Sequence, residues 1–188
     1  MTYLSSLPDD ARLVDVFRAY PGPARPLLDL HEEVMRRPSP FTVAERELIA
    51  AYVSGLNECA YCHGVHTATA EAFGIPAGLL DRLLADVDTA PIDERLRPVL
   101  RYVGTLTRTP WKLTRADAEA VLAAGWSERA LHDAALVCGL FNLMNRMVDG
   151  LGVRADDAYY GASASRLHQV GYAGLAALIE PGAETPRT

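Results

Sequence analysis

Cysteine is scarce: three in 188 residues, an odd number, which excludes a disulfide-stapled scaffold. Lysine is nearly missing. Lys112 is the only one, and 18 basic residues face 24 acidic ones for a net charge of −6. An acidic chain of this kind argues against nucleic acid or an anionic membrane as partner. No apolar run reaches the length of a transmembrane helix. Met1-Thr2-Tyr3-Leu4-Ser5 has no basic stretch leading into an apolar one, so no secretory signal is expected and the cytoplasm is the expected address. Strand signals are absent too, with no sustained apolar/polar alternation and no Asn-Gly hairpin turn. What remains is 49% hydrophobic and 22% charged residues, an ordinary globular balance for one core. The expectation is a single domain over residues 1–180, with a disordered tail over 181–188 after Pro181.

Helical spacing recurs between stop signals. Asp9 or Asp10 is placed to cap a helix to Ala19, which Pro21-Gly22-Pro23 is expected to end. Residues 24–36 carry Leu27, Leu28, Leu30, Val34 and Met35 before Pro38 and Pro40. Thr42-Val43-Ala44-Glu45 is a capping-box pattern that opens a helix to about Ser54. After a turn at Gly55, Asn57 and Glu58, a helix over 59–73 ends at Gly74. Pro76 suits the first turn of a helix to Ala85, and Asp93 opens one to Thr107 that Pro98 delays or bends. Thr114 and Ser127 cap two more, to Gly125 and Asp149. A last stretch over 156–179 is weakened by Gly161, Gly171 and Gly174. The sum is an all-α fold of eight or nine helices. The pairs 42–73 and 115–149 look loosely alike in length and capping.

The chemistry-bearing cluster is Glu47, Cys59, Cys62 and His66. On one helix, positions 59, 62 and 66 fall within about 60° of each other at about 100° per residue, so two thiols and an imidazole share a face. Tyr61 is expected to point away from it. If the flanking helices fold back antiparallel about Asn57, Glu47 and His66 both lie about 14–15 Å from the turn, at the same height. Ala51 and Ser54 are small enough for close approach. A free thiol has a pKa of about 8.5 and needs a base to become nucleophilic near neutral pH. His66 can take the proton and Glu47 can orient the imidazole. The helix start favours a thiolate at Cys59. A thiolate that attacks a peroxide becomes a sulfenic acid, and a second thiol three residues away can condense with it. Two rival readings are a pair of merely buried cysteines and a zinc site. Cys59, Cys62, His63 and His66 are ligand types, but four ligands on one helix do not surround a tetrahedral ion. Glu45 and Arg46 read as cap and surface residues.

These residues carry a resemblance. Phe41-Thr42-Val43-Ala44-Glu45-Arg46-Glu47-Leu48-Ile49-Ala50 and Asn57-Glu58-Cys59-Ala60-Tyr61-Cys62-His63-Gly64-Val65-His66 resemble the AhpD-like alkylhydroperoxidase family, within the carboxymuconolactone decarboxylase superfamily. Phe141-Asn142-Leu143-Met144-Asn145-Arg146 with Gly150-Leu151-Gly152 is similar to the subgroup called peroxidase-related enzymes. The likeness spans most of residues 20–175. It implies an AhpD-like all-helical subunit that forms a homo-oligomer (dimer, trimer or hexamer) and uses no metal or organic cofactor. It implies an antioxidant peroxidase that takes a small hydroperoxide and a dithiol or protein thiol reductant. By position, Glu47 matches the family's general base, Cys62 the attacking thiol, Cys59 the resolving thiol and His66 the relay histidine. AhpD has a histidine just before the second cysteine; this chain has Tyr61, which does not titrate near neutral pH. Two other classes stay open. One is a non-redox reaction on a carboxylated ring compound, as in the decarboxylase branch. The other is a redox-responsive helical module without turnover.

Among the remaining residues, Cys138 reads as a core cysteine. Asn142, Asn145, Arg146 and Asp149 line one face of an apolar helix, either as a surface stripe or as a buried polar network. His31, His132 and His168 read as surface or half-buried residues, and Trp111, Trp126, Tyr159 and Tyr160 as packing anchors.

Overall fold

The computed structural model describes residues 2–179. The tail expected at 181–188 lies outside them. Among the described residues there are nine α-helices, one 3-10 turn at Pro110–Lys112 and no strand. They are α1 Leu13–Ala19, α2 Pro21–Arg36, α3 Val43–Leu56, α4 Ala60–Ala72, α5 Leu79–Ala85, α6 Leu96–Arg108, α7 Arg115–Ala123, α8 Glu128–Gly150 and α9 Asp157–Ala177. Among the described residues, no helix is long and apolar enough to cross a membrane.

The organising element is α3. Every residue from Arg46 to Ser54 is buried, so this helix has no solvent face and must lie at the centre. Its start follows the capping-box expectation. Thr42 Oγ1 accepts from the Glu45 N–H at 3.2 Å, and the Glu45 carboxylate accepts from the Thr42 N–H at 2.7 Å. Arg46 corrects the surface reading. It is 3% exposed, and its guanidinium donates to the carbonyls of Val34 and Arg37 at 2.9 and 2.8 Å. It thereby satisfies orphan carbonyls at the end of α2.

Helix α3 turns back into α4 through Asn57 and Glu58. Glu58 takes the left-handed conformation at φ 57°, and the Cys59 N–H closes the turn onto Ser54 O at 3.0 Å. Cys59 is therefore the N-cap of α4. Helix α9 covers α4 and α2 on one side, while α8 and α6 cover α3 on the other.

Some boundaries differ from the sequence reading. Pro21 starts α2 instead of ending α1, because a proline at the first helical position gives up only an N–H that has no helical partner. The cap of α1 is made by Asp15, which accepts from the Arg12 N–H at 2.8 Å, not by Asp9 or Asp10. Helix α5 starts after Gly78, not at Pro76. Helices α7 and α8, 9 and 23 residues long, do not match the near-equal pair α3 and α4. Trp111 is 77% exposed and anchors nothing, whereas Trp126 packs on Phe41 at 4.5 Å. Cys138 is fully buried, as read.

Two glycines fix how α9 sits. A Cβ on Gly64 of α4 would clash with the ring carbons of Tyr160, so the absence of a side chain there lets α9 approach. Gly171 takes φ 60° and ψ −162°, a break within α9, and the N–H groups of Tyr172 and Ala173 beyond it donate to Glu32 of α2 at 3.0 and 3.1 Å. Gly64→Ala is expected to destabilise the fold by about 1–3 kcal/mol through overpacking against Tyr160. A lowered urea midpoint with an unchanged m-value would register it, and an unchanged midpoint would contradict this packing.

Candidate active site

The α3–α4 hairpin brings the expected residues together. His66 Nδ1 lies 2.6 Å from Glu47 Oε2, and the carboxylate has no exposure at all. A carboxylate only accepts, so Nδ1 carries the hydrogen of this contact and leaves Nε2 as the nitrogen that faces away from Glu47. Arg36 of α2 holds the other carboxylate oxygen as an ion pair, NH1 to Oε1 at 2.7 Å. Burial alone would raise the Glu47 carboxyl. The imidazole of His66 and the Arg36 guanidinium outweigh it and hold the carboxyl below its ordinary value.

Both thiols are reduced and buried. Their surroundings differ. Cys62 lines a cavity together with His66, whereas Cys59 sits behind it at the helix start. The Cys62 thiol is pushed well above its ordinary value, first by its hydrogen bond to the Cys59 sulfur and then by burial. A hydrogen bond from Asn145 pulls part of the way back. In the reduced protein the proton thus belongs to Cys62, and a base is needed to remove it.

The stripe on α8 resolves into the buried alternative for its amides. Asn57 Nδ2 donates to Asn145 Oδ1 at 2.8 Å and to Asn142 Oδ1 at 3.2 Å, and Asn145 Nδ2 donates to Ser54 Oγ at 3.0 Å. Asn145 is 1% exposed. Arg146 and Asp149 lie toward solvent, the latter paired with Arg154 at 3.1 Å. The network ties the α3–α4 turn to α8 beside Cys62.

The cavity encloses about 730 Å3, its open mouth included. It contains Tyr61 and His31, which the sequence reading placed elsewhere, and Tyr172, which the sequence reading did not single out. Tyr61 lines it instead of pointing away, and its hydroxyl is 2.9 Å from that of Tyr159, which also lines it. His31 is 3% exposed, not a surface residue. Its Nδ1 donates to Leu27 O at 2.7 Å, and its ring lies 5.0 Å from that of Tyr172 and 6.0 Å from that of Phe141. Burial lowers its pKa to about 4, so the ring is neutral at neutral pH with Nε2 as a bare acceptor. Tyr172, on α9, is 4% exposed, and its hydroxyl lies beside Glu47 and Arg36. Nothing in the local pattern flags Tyr172; only the break at Gly171 brings it here. His31 carried one signal, its place on the apolar Leu27-Leu28-Val34-Met35 side of α2. His132 and His168 stay on the surface, as read. Among the described residues no group of three or more His, Cys, Asp or Glu side chains converges to hold a metal ion.

Comparison with known proteins bears on the fold and the family. Residues 21–105, from α2 into α6, match the carboxymuconolactone decarboxylase family. The chain is similar to an uncharacterized peroxidase-related protein of Silicibacter sp. TM1040, at 27% identity and TM-score 0.74, over 79% of this chain and 78% of that one. It is also similar to a peroxidase-related protein of Ralstonia eutropha JMP134 described as an alkylhydroperoxidase AhpD core, at 26% identity and TM-score 0.72, over 77% and 76%. A protein of unknown function from Agrobacterium tumefaciens, 18% identical with TM-score 0.66 over 78% and 100%, speaks for the fold alone. The curated proteins give no match.

The buried His31 makes stability depend on acid. Its folded pKa of about 4 lies below the ordinary 6.5, so the unfolded chain binds the proton first and stability falls as pH drops from 6.5 toward 4. The loss is about 3 kcal/mol over that window. Urea midpoints between pH 7 and 4.5 are expected to fall less steeply for His31→Leu than for the unmodified chain; parallel slopes would contradict the assignment.

Proposed function

We propose, from the premise that the chain belongs to the AhpD-like branch of the carboxymuconolactone decarboxylase superfamily, that it is a thiol-dependent hydroperoxide reductase cycling through a Cys59–Cys62 disulfide. One observation carries this reading. Cys62 faces the cavity and shares that wall with His66, whose imidazole is backed by a fully buried carboxylate, while Cys59 caps the same helix one turn earlier.

The steps follow from the charges. His66 Nε2 takes the proton of Cys62, while Glu47 holds Nδ1–H and stabilises the imidazolium. Asn145 steadies the new thiolate by its hydrogen bond. The thiolate attacks the terminal oxygen of a hydroperoxide. The O–O bond breaks, Cys62 becomes a sulfenic acid, and the leaving alkoxide takes the proton held by His66 to become an alcohol. Cys59 then attacks the sulfenic sulfur, forming the disulfide and releasing water. A dithiol or protein thiol returns two electrons and two protons. The high Cys62 pKa is consistent with this order, since ionisation waits for the base. Tyr61 takes the place of a relay histidine and contributes a neutral hydroxyl paired with Tyr159.

The same reading assigns a cytoplasmic antioxidant role and self-association of the subunit. Leu136 and Leu143, two turns apart on the exposed side of α8, support the second point.

Stoichiometric organic peroxide is expected to remove two thiols per chain, with the third retained at Cys138 and a dithiol restoring the pair. Cys62→Ser and Cys59→Ser are each expected to abolish sustained turnover. Glu47→Gln is expected to slow thiol loss about 100-fold. Breaking its buried pair with Arg36 costs about 3 kcal/mol besides. Peroxide consumption by both serine variants at the unmodified rate would overturn the reading. A reaction on a carboxylated ring that survives thiol alkylation would favour the non-redox class, and a reversible disulfide without turnover the signalling module.

A further inference from the structure

Polar groups in the cavity gather at two places. One is the reactive end, where His66 and His31 flank Phe141 at ring distances of 4.5 and 6.0 Å and Tyr172 packs on His31. Between the ends the wall is apolar, with Leu28, Val65, Phe141, Met144 and Leu167. The other polar place is the mouth. Val14, Tyr159, Ser163 and Arg166 line the cavity and also an adjoining surface groove that holds Arg12 and Arg18.

The arginines at the mouth are not equivalent. Arg12 faces Asp156 at 3.8 Å and donates to Arg154 O, and Arg18 faces Asp15 at 3.6 Å and donates to Leu178 O. Arg166 is half-buried, and among the described residues it makes no ion pair and no hydrogen bond. It lies on α9 five residues before the break at Gly171, roughly 8 Å along the helix from the position that delivers Tyr172. A guanidinium held at the edge of an apolar channel, with no carboxylate of its own, is matched by a ligand carboxylate, which it can engage with two parallel hydrogen bonds.

We infer that the cavity takes an aliphatic carboxylate lengthwise, its head on Arg166 and its tail toward Cys62, so that the substrate is a hydroperoxide of a medium-chain carboxylic acid. The substrate statement rests on the peroxidase reading; the binding statement does not. One unpaired cation sets the charge of the head at one. The aliphatic wall sets the body, because burying its methylenes supplies the affinity that a half-exposed ion pair alone does not. At the reactive end, the bare Nε2 of His31, beside the Tyr172 ring, is an acceptor for the O–H of a hydroperoxide group.

The test has a binding arm and a turnover arm. Calorimetric titration with decanoate and with 1-decanol is expected to show tighter binding of decanoate. Arg166→Gln is expected to weaken decanoate at least tenfold and leave 1-decanol unchanged, while Arg166→Lys restores part of the loss. Arg129→Gln, remote from the cavity, is the charge control and is expected to change neither. Equal affinities for acid and alcohol, or an Arg166→Gln variant that binds decanoate as the unmodified chain does, overturns the inference. In the turnover arm, kcat/KM for a carboxylate-bearing hydroperoxide is expected to exceed that for its methyl ester, with the difference erased in Arg166→Gln. Turnover of both at equal rates overturns the inference and keeps the peroxidase. Arg166-dependent decanoate binding with no peroxide turnover keeps the site and removes the peroxidase.

Discussion

A carboxylate sealed from water between an imidazole and a guanidinium organises this protein. Glu47 leaves solvent entirely, at a desolvation cost of several kcal/mol that only close, opposite partners offset. Arg36 arrives from α2 at 2.7 Å and His66 from α4 at 2.6 Å, so one side chain of the central helix fixes two neighbours. The contact requires the α3–α4 hairpin to be antiparallel and in one register, since a shift of one residue would rotate Glu47 about 100° away from His66. The structural and the chemical demand on this residue therefore coincide.

Around that centre, the polar groups are divided by depth. The amides of Asn57, Asn142 and Asn145 bind the hairpin turn to α8 without bringing in charge. Neutral amides leave the local field to Glu47 and Arg36. His31 extends the pattern, as a histidine kept neutral by burial and committed through Nδ1 to its own helix.

The hairpin was legible in the sequence because its determinants are local. The capping box at Thr42, the turn at Asn57 and the intervals between Glu47, Cys59, Cys62 and His66 lie within 25 residues, and helical geometry converts spacing into direction. The rest of the cavity was not legible, because its parts are far apart in the chain. His31 and Tyr172 are 141 positions apart and meet only after α9 breaks at Gly171 and crosses α2. Gly171 was visible only as a weak point in a helix; that the weakness turns a phenol toward Glu47 depends on Glu32 accepting the two N–H groups beyond it. Arg46 was misread for a similar reason. An arginine in a helix looks solvated until the carbonyls of another helix end are placed against it. Pro21 misled because proline both stops and starts helices, and only its position relative to the first turn decides which.

The break in α9 has a further consequence for how such a molecule can change over time. Sulfur, imidazole and carboxylate all come from α3 and α4, inside residues 21–105, whereas Tyr159, Arg166 and Tyr172 belong to α9, outside that stretch. The proposed reactive groups and the proposed guest-binding groups thus lie in separate lengths of chain that meet across one void. On the reading proposed above, replacing the later length would change the guest while the earlier one keeps Glu47, Cys59, Cys62 and His66, with the close contact of Gly64 and Tyr160 as the seam that any replacement must respect.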